Sequence, residues 1–221
     1  MTEGADFWSQ LDSADARELL AVGVVRTFER GQALCYEGQV LDRVLILRSG
    51  LVKVTRATDE GREVVLAFRG PGESIGELTA LDDRPRGATV RAVEPVEALA
   101  LSPRAFRSFL EQHSAVCLAL LRAVSLRLRD ADAKRIEFAR FDTMGRIAVR
   151  LLELSERFGH EQDDGVRITL PLSQEDLAGL TGSSLRSVSR ALEEMRALRW
   201  IETGRRDIRI LDRSALERRA R

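Results

Sequence analysis

The order of apolar and polar residues divides the chain into three stretches. Between about residues 20 and 110, short apolar runs are separated by glycines, among them Gly31, Gly38, Gly50, Gly70 and Gly72. "GLVKVTRA", starting at Gly50, alternates apolar and polar positions as a half-buried strand does, and "REVVLAF", starting at Arg62, reads as a second strand. Asp59 and Gly61 supply turn chemistry between them. This rhythm predicts a small antiparallel barrel or roll. Ahead of it, "DSADARELLAV" predicts a short helix with Asp12 or Ser13 as N-cap.

The second stretch, Ser114 to Ala139, contains neither Gly nor Pro. Cys117, Leu121, Val124, Leu128, Ala131, Arg135 and Phe138 recur at steps of four and three, the spacing of a seam between helices. A helix of about 26 residues runs roughly 39 Å, long for one lying on a small barrel. Dimerisation along the seam is the expectation, and a single apolar stripe packed on the chain's own barrel is the alternative. Arg135 predicts looser packing toward the helix end.

The third stretch opens with "FDTMGRIAVRLLELSERFG". Asp142 is its expected N-cap, Ile147, Leu151, Leu152 and Leu154 its apolar face, and Gly159 its end. "EQDDG" reads as a solvated turn and "VRITLPL" as a short strand. Ser173 then caps "QEDLAGLTG", with Asp176 at capping-box spacing. "SSLRSVSRALEEMRALRWI" predicts another helix, and "WIETGRRDIRIL" a hairpin turning at Gly204, Arg205 and Arg206. Two helices joined by a tight Gly-containing turn and followed by a two-stranded wing describe a winged helix-turn-helix. The fold class is α+β.

Charge sharpens this picture. The whole chain is formally neutral, which argues against a general nucleic-acid binder. Yet from Leu180 onward there are eleven arginines, no lysine and six acidic residues, so the positive surplus sits at the C-terminal end. Arg186 and Arg190 fall four apart near the start of one helix, a spacing that puts two guanidiniums on one face. Arg pairs bidentately with guanine in the major groove. Gln174, Ser183, Ser184 and Ser187 are candidate phosphate donors, and Arg205 and Arg206 at the wing tip are cationic.

A second candidate site lies in "IGELTALDDRPRGATVRA", residues 75–92. It reads as a loop that holds a phosphate: Gly76 and Glu77 open it and Arg86 comes near its end among small residues. Other chemistry is sparse. Two cysteines, Cys35 and Cys117, and two histidines, His113 and His160, are too few for a disulfide framework or a cysteine- or histidine-rich metal site. "RGPGES" lacks the Gly-Lys-Ser ending of a P-loop, and no nucleophile–base pair stands out, so an enzyme is not expected. The first ten residues are acidic and polar, and no apolar run nears the ~18 residues of a membrane span, so the expected compartment is the cytoplasm.

Together these residues resemble the CRP/FNR transcription regulators over about residues 7–215. The resemblance rests on "IGEL" followed by "PRGATV", on "FDTMGRIAVRLLEL", and on "LSQEDLAGLTGSSLRSVSRALEEM", in this order. It implies a cyclic-nucleotide-binding, jelly-roll-like β-roll over residues 1–113, a dimerisation helix and hinge over 114–140, and a winged helix-turn-helix over 141–221. It implies an effector site of Gly76, Glu77, Leu78, Arg86, Gly87, Ala88, Arg127 and Asp132. There Glu77 would accept from a ribose hydroxyl, Arg86 would pair with the cyclic phosphate, and Arg127 aligns with a ligand-contacting arginine of the long helix. Gly87 stands where relatives carry Ser or Thr, and Ala131 and Asp132 where adenine readers often carry a hydroxyl pair. Asp132 is either an acceptor for the adenine amine or a solvated charge.

For DNA, the resemblance implies contacts from Gln174, Ser183, Ser184, Leu185, Arg186, Ser187, Arg190, Arg205 and Arg206. Leu185, Arg186 and Ser187 replace the usual Arg-Glu-(Thr/Ser) start of the recognition helix, so the half-site should differ from the family's common one. The dimer interface would use Cys117, Leu121, Val124, Leu128, Ala131 and Phe138. The implied function is a homodimeric, sequence-specific regulator with double-stranded DNA and RNA polymerase as partners. Cyclic AMP, another cyclic nucleotide or another small effector would turn its winged helices about a hinge near Phe141 and Asp142. Two other readings stay open: a regulator that needs no ligand, and a cyclic-nucleotide-binding module for a partner protein.

Overall fold

The computed structural model describes residues 6–40, 42–58, 63–204 and 207–221. The chain divides into two compact units, Thr2–Asp130 and Ala131–Arg221. In the first, α1 (Ser13–Val22) precedes strands β1 (Val24–Phe28), β2 (Ala33–Cys35), β3 (Val44–Ser49), β4 (Val52–Ala57), β5 (Glu63–Arg69) and β6 (Ser74–Ile75). Helix α2 (Glu77–Asp82), strands β7 (Thr89–Ala92) and β8 (Val96–Leu101), and helix α3 (Pro103–Gln112) follow, and α4 (Ser114–Arg140) runs on into the second unit.

The strands form two antiparallel sheets, ordered β1-β8-β3-β6 and β2-β7-β4-β5. Leu45 and Leu47 of β3 join Cys35, Val52, Val90 and Ala98 in the core between the sheets. Val44 and Ile46, on the opposite face of β3, join Phe106 of α3 and Val116, Leu120 and Ala123 of α4 in a second core. Because both faces of β3 are covered, its sequence "VLIL" shows an unbroken apolar run where a one-sided strand would alternate.

Helix caps follow the sequence closely. Asp12 accepts from the backbone N–H of Ala14 and of Asp15, each at 2.8 Å. Ser102 accepts from Ala105 N–H at 3.1 Å and Pro103 follows it at the first helical position, where a missing N–H costs nothing. In α4, Val116, Ala119, Leu120 and Ala123 are buried on the roll. The heptad seam is split by that packing. Cys117 and Val124 are half-buried against the chain's own core, whereas Leu121 is 56% exposed and Leu128 63%.

The second unit contains α5 (Thr143–Phe158), β9 (Gly159–Gln162), β10 (Gly165–Ile168), α6 (Gln174–Thr181), α7 (Leu185–Ala197), β11 (Ile201–Thr203), β12 (Ile208–Ile210) and α8 (Arg213–Arg219). Its sheet is ordered β11-β12-β10-β9. Ile147, Leu151, Leu177, Val188, Leu192 and Met195 are buried, so the inner faces of α5, α6 and α7 supply the core. The capping box is formed: Ser173 Oγ accepts from Asp176 N–H, and the Asp176 carboxylate accepts from Ser173 N–H, both at 3.0 Å.

Two segments differ from the expectation. The stretch 75–92 is not all loop, since Glu77–Asp82 is helical, and the nearby Gly76, Pro85 and Gly87 hide so short a helix in the sequence. The first residues of the expected solvated turn pair as β9, a polar and largely exposed strand with no alternation to reveal it. Asp59 and Gly61, and the wing-tip Arg205 and Arg206, lie outside the described residues.

Arg199 follows α7 with φ +56, a left-handed conformation that usually falls to glycine. The backbone there closes with Trp200 N–H donating to Met195 O at 2.9 Å, the six-to-one bond of a Schellman end. The Arg199 side chain is exposed and makes no ion pair among the described residues. Relief of the left-handed strain should outweigh the added freedom of the unfolded chain, so Arg199→Gly is expected to raise stability by about 0.5–1 kcal/mol. A denaturant midpoint that stays put or falls would refute this.

Candidate functional site

A cavity of about 280 Å³ opens in the first unit, between the end of β5, β6, α2, the 86–90 segment and α4. Gly76, Glu77, Leu78, Arg86, Gly87, Ala88 and Arg127, seven of the eight residues of the expected effector site, line it. Cys35, Val54, Arg69, Ser74, Ile75, Thr79 and Val90 complete the wall. Asp132 is not part of that lining; its carboxylate is exposed and lies 3.8 Å from Arg135 Nη1.

Arg86 is 4% exposed. Its Nη2 donates to the Arg43 carbonyl at 2.6 Å and reaches Asp42 Oδ1 at 3.4 Å. Its Nε and Nη1 have no partner among the described residues. Gly76 makes this placement possible: its φ is +86, and a Cβ there would run into Arg86 Nη1. Burial would raise the Asp42 carboxyl, but the hydrogen bond and charge of Arg43, helped by Arg86, outweigh it and hold the group below its usual range.

Glu77 is buried as well, and Arg127 Nη1 donates to its Oε1 at 2.5 Å. Arg127 Nη2 donates to the Ser74 carbonyl at 3.1 Å. Burial pulls the Arg127 pKa down, and the Glu77 charge pushes back; arginine titrates so high that it stays cationic. Glu77 Oε2 has no partner among the described residues. Burial, the largest influence, raises the Cys35 thiol pKa against the charge of Arg86, so Cys35 is a small neutral part of the wall. Arg86 and Glu77 both line the cavity, the first with two unmet cationic donors and the second with one unmet carboxylate oxygen. A ligand that fits has an anionic oxygen and a hydroxyl or amine donor.

The second unit presents the other predicted residues. Ser184 caps α7, accepting from Ser187 N–H at 3.1 Å, and the two hydroxyls lie 2.9 Å apart. Leu185, Arg186 and Arg190 are exposed, and neither arginine has an ion pair among the described residues. Gln174 is exposed and its Oε1 accepts from Ser189 Oγ at 3.1 Å. Ser183 is engaged internally: Arg146 Nη2 donates to its Oγ at 3.1 Å.

The architecture has close counterparts. The cyclic nucleotide-binding domain profile matches residues 25–113, and the Crp-like helix-turn-helix domain profile matches residues 145–219. A CRP-like cAMP-activated global transcriptional regulator from Mycobacterium tuberculosis is 34% identical over 194 residues, 88% of this chain and 87% of its own. The chain belongs to the CRP/FNR family. A cyclic AMP receptor protein from Thermus thermophilus is 28% identical across 87% of this CRP/FNR regulator and 86% of its own length. The crystal structure of a CRP-family transcriptional regulator from the same organism superposes with a TM-score of 0.76 at 28% identity, covering 88% of this chain and 96% of that one. This CRP/FNR protein is thus a DNA-binding transcription regulator, with a cyclic nucleotide-binding domain followed by a helix-turn-helix domain.

Sequence reasoning missed half of the cavity wall. Cys35 and Val54 come from strands far along the chain from the "IGEL" segment, and nothing local marks them. Arg69 and Ser74 lie at the two ends of "RGPGES", where the absence of a P-loop ending leaves no local signal.

The helix-turn-helix unit also carries a charge-dependent cap. Asp142 accepts from Gly145 N–H at 2.9 Å and pairs with Arg219 of α8. The Gly145 hydrogen bond, against the opposing effect of burial, lowers the Asp142 carboxyl pKa, and the charges of Arg219 and Arg146 add to it. A folded-state pKa below the unfolded one stabilises above the unfolded value, and that gain is lost as pH falls through the folded one. Asn also caps well. Wild type should therefore be more stable than Asp142→Asn at neutral pH, with the gap closing as pH drops below about 4. A gap in denaturant midpoint that persists at acid pH would contradict the charge-based account.

Proposed function

We propose that this regulator is a homodimer that binds a cyclic mononucleotide, cyclic AMP first among them, in the 280 Å³ cavity and reads a two-fold symmetric operator with α7. One observation carries the effector half: Arg86 is buried with Nε and Nη1 unmet, in the same cavity as the unmet Glu77 Oε2. A cyclic phosphodiester supplies the anion for the first and its ribose hydroxyl the donor for the second. The names of the M. tuberculosis and T. thermophilus relatives support cyclic AMP as the ligand to test.

On DNA, exposed Arg186 and Arg190 suit guanine, Leu185 suits a thymine methyl, and Ser184, Ser187 and Gln174 suit phosphates. Two α7 helices in a dimer call for half-sites about one helical turn, ~10–10.5 bp, apart. RNA polymerase is the partner through which such a protein would act, in the cytoplasm, and no catalytic role is assigned. The dimer is supported by Leu118, Leu121 and Leu128, apolar side chains left exposed on α4 while the neighbouring face is buried.

Calorimetry against cyclic mono- and dinucleotides tests the effector reading. Cyclic AMP should bind wild type, and Arg86→Ala should abolish binding. A Cβ at Gly87 meets nothing within 4 Å. Gly87→Ser should therefore fit and tighten binding about tenfold through one added hydrogen bond to a charged group. Failure of every nucleotide to bind wild type would end this reading.

For the assembly, sedimentation of wild type at micromolar concentration should give a dimer. Leu128→Glu should give a monomer, because the new carboxylate would be buried in the seam. A monomeric wild type would refute the proposal.

A further inference from the structure

The last ten residues of α4 lie in the same compact unit as the helix-turn-helix, and their contacts are used by neither the effector nor the operator reading. Arg150 of α5 is 4% exposed. Its Nη2 donates to Glu137 of α4, and its Nη1 donates to Glu153, one turn on along α5. Next to Glu137, the ring of Phe138 lies against the turn between α6 and α7. A Cβ on Gly182 would sit 2.6 Å from Phe138 Cε1, and Gly182 holds the left-handed φ of +56 that ends α6. Arg146 sits over the same ring at 5.5 Å and donates to the Phe141 carbonyl at 2.8 Å and to Ser183 Oγ at 3.1 Å.

These contacts tie α4 to the origin of α7. A planar guanidinium fork between carboxylates on two helices fixes how those helices face each other. The ring bears on the one residue whose backbone sets the turn, and α7 begins only three residues later, at Leu185. We propose that Glu137 and Phe138 are positioning residues for DNA recognition: the ion pair to Arg150 and the ring on Gly182 set the direction in which α7 leaves its turn. Phe138 thus serves the turn instead of, or as well as, the dimer seam. This rests on the reading that α7 meets the operator.

Two mild substitutions test it. Glu137→Gln leaves Arg150 paired with Glu153, so no buried charge is orphaned and the link between helices loses its charge, keeping one amide oxygen as acceptor. Phe138→Ala removes a ring that is 45% exposed. An operator is selected from random DNA with wild-type protein, and affinities for it and for a scrambled duplex are measured at one salt concentration, with thermal midpoints alongside. Each variant should lose about tenfold in operator affinity while scrambled-DNA affinity stays within about twofold, lowering the specificity ratio. Phe138→Tyr, which keeps the ring, should behave as wild type. Loss of a negative charge alone would tighten both duplexes, so weakening confined to the operator supports positioning.

An unchanged specificity ratio in both variants would overturn the proposal, as would equal losses on both duplexes with a lowered thermal midpoint. Arg190→Ala separates the two levels. If it abolishes operator preference while Glu137→Gln and Phe138→Ala keep it, the strut alone is wrong. If all three keep it, the reading of α7 is wrong as well.

Discussion

A guanidinium taken out of water has to be met by carboxylates, carbonyls or a ligand, and two buried arginines organise the two halves of this chain. Burying such a charge without compensation costs several kcal/mol. Arg150 is met on both sides by Glu137 and Glu153, so it joins helices. Arg86, equally buried, is met by the Arg43 carbonyl and a distant Asp42, and two of its nitrogens are left over. The residue type is the same in both places. Arg150 is satisfied by carboxylates within the fold, whereas Arg86 leaves two nitrogens unmet.

Much of this was readable from local signals. Asp12, Asp142 and Ser173 cap the helices that follow them, as a short polar side chain before an amphipathic run predicts. Gly76, Glu77 and Arg86, which line the cavity, are equally local in sequence, lying within twelve residues of one another. What could not be read depends on tertiary packing. Heptad spacing places Cys117, Leu121, Val124 and Leu128 in one line, but it does not say that the roll already covers Cys117 and Val124. Glu137 and Arg150 are thirteen residues apart on different helices, and no periodicity links charges across the break at Phe141 and Asp142.

The arrangement around Glu77 bears on how a ligand would enter. Arg127 already holds Oε1, and the unmet atom is Oε2. A ligand hydroxyl donating to Oε2 would add to the existing pair without displacing it. The same helix that supplies Arg127 continues to Glu137 and Phe138, so one element takes part in both sites. A ligand bound in the cavity would change DNA binding only to the extent that it preferred one arrangement of that element over another.

The cavity is specified unevenly, and this decides what kind of selectivity the proposed ligand site would have. Its unmet charged atoms belong to Arg86 and Glu77, which suit a phosphodiester and a sugar hydroxyl. The remaining wall combines apolar Cys35, Val54, Ile75, Leu78 and Val90 with polar Arg69, Ser74 and Thr79, and Asp132 is not part of the lining. A site that must pair buried charges rejects molecules lacking the matching group far more strongly than an apolar wall distinguishes shapes of similar size. Discrimination between a cyclic nucleotide and a molecule without the phosphodiester would therefore exceed discrimination among bases. Gly87 offers no hydroxyl at the charged end, so Arg86 would carry the larger share of the affinity of the proposed site.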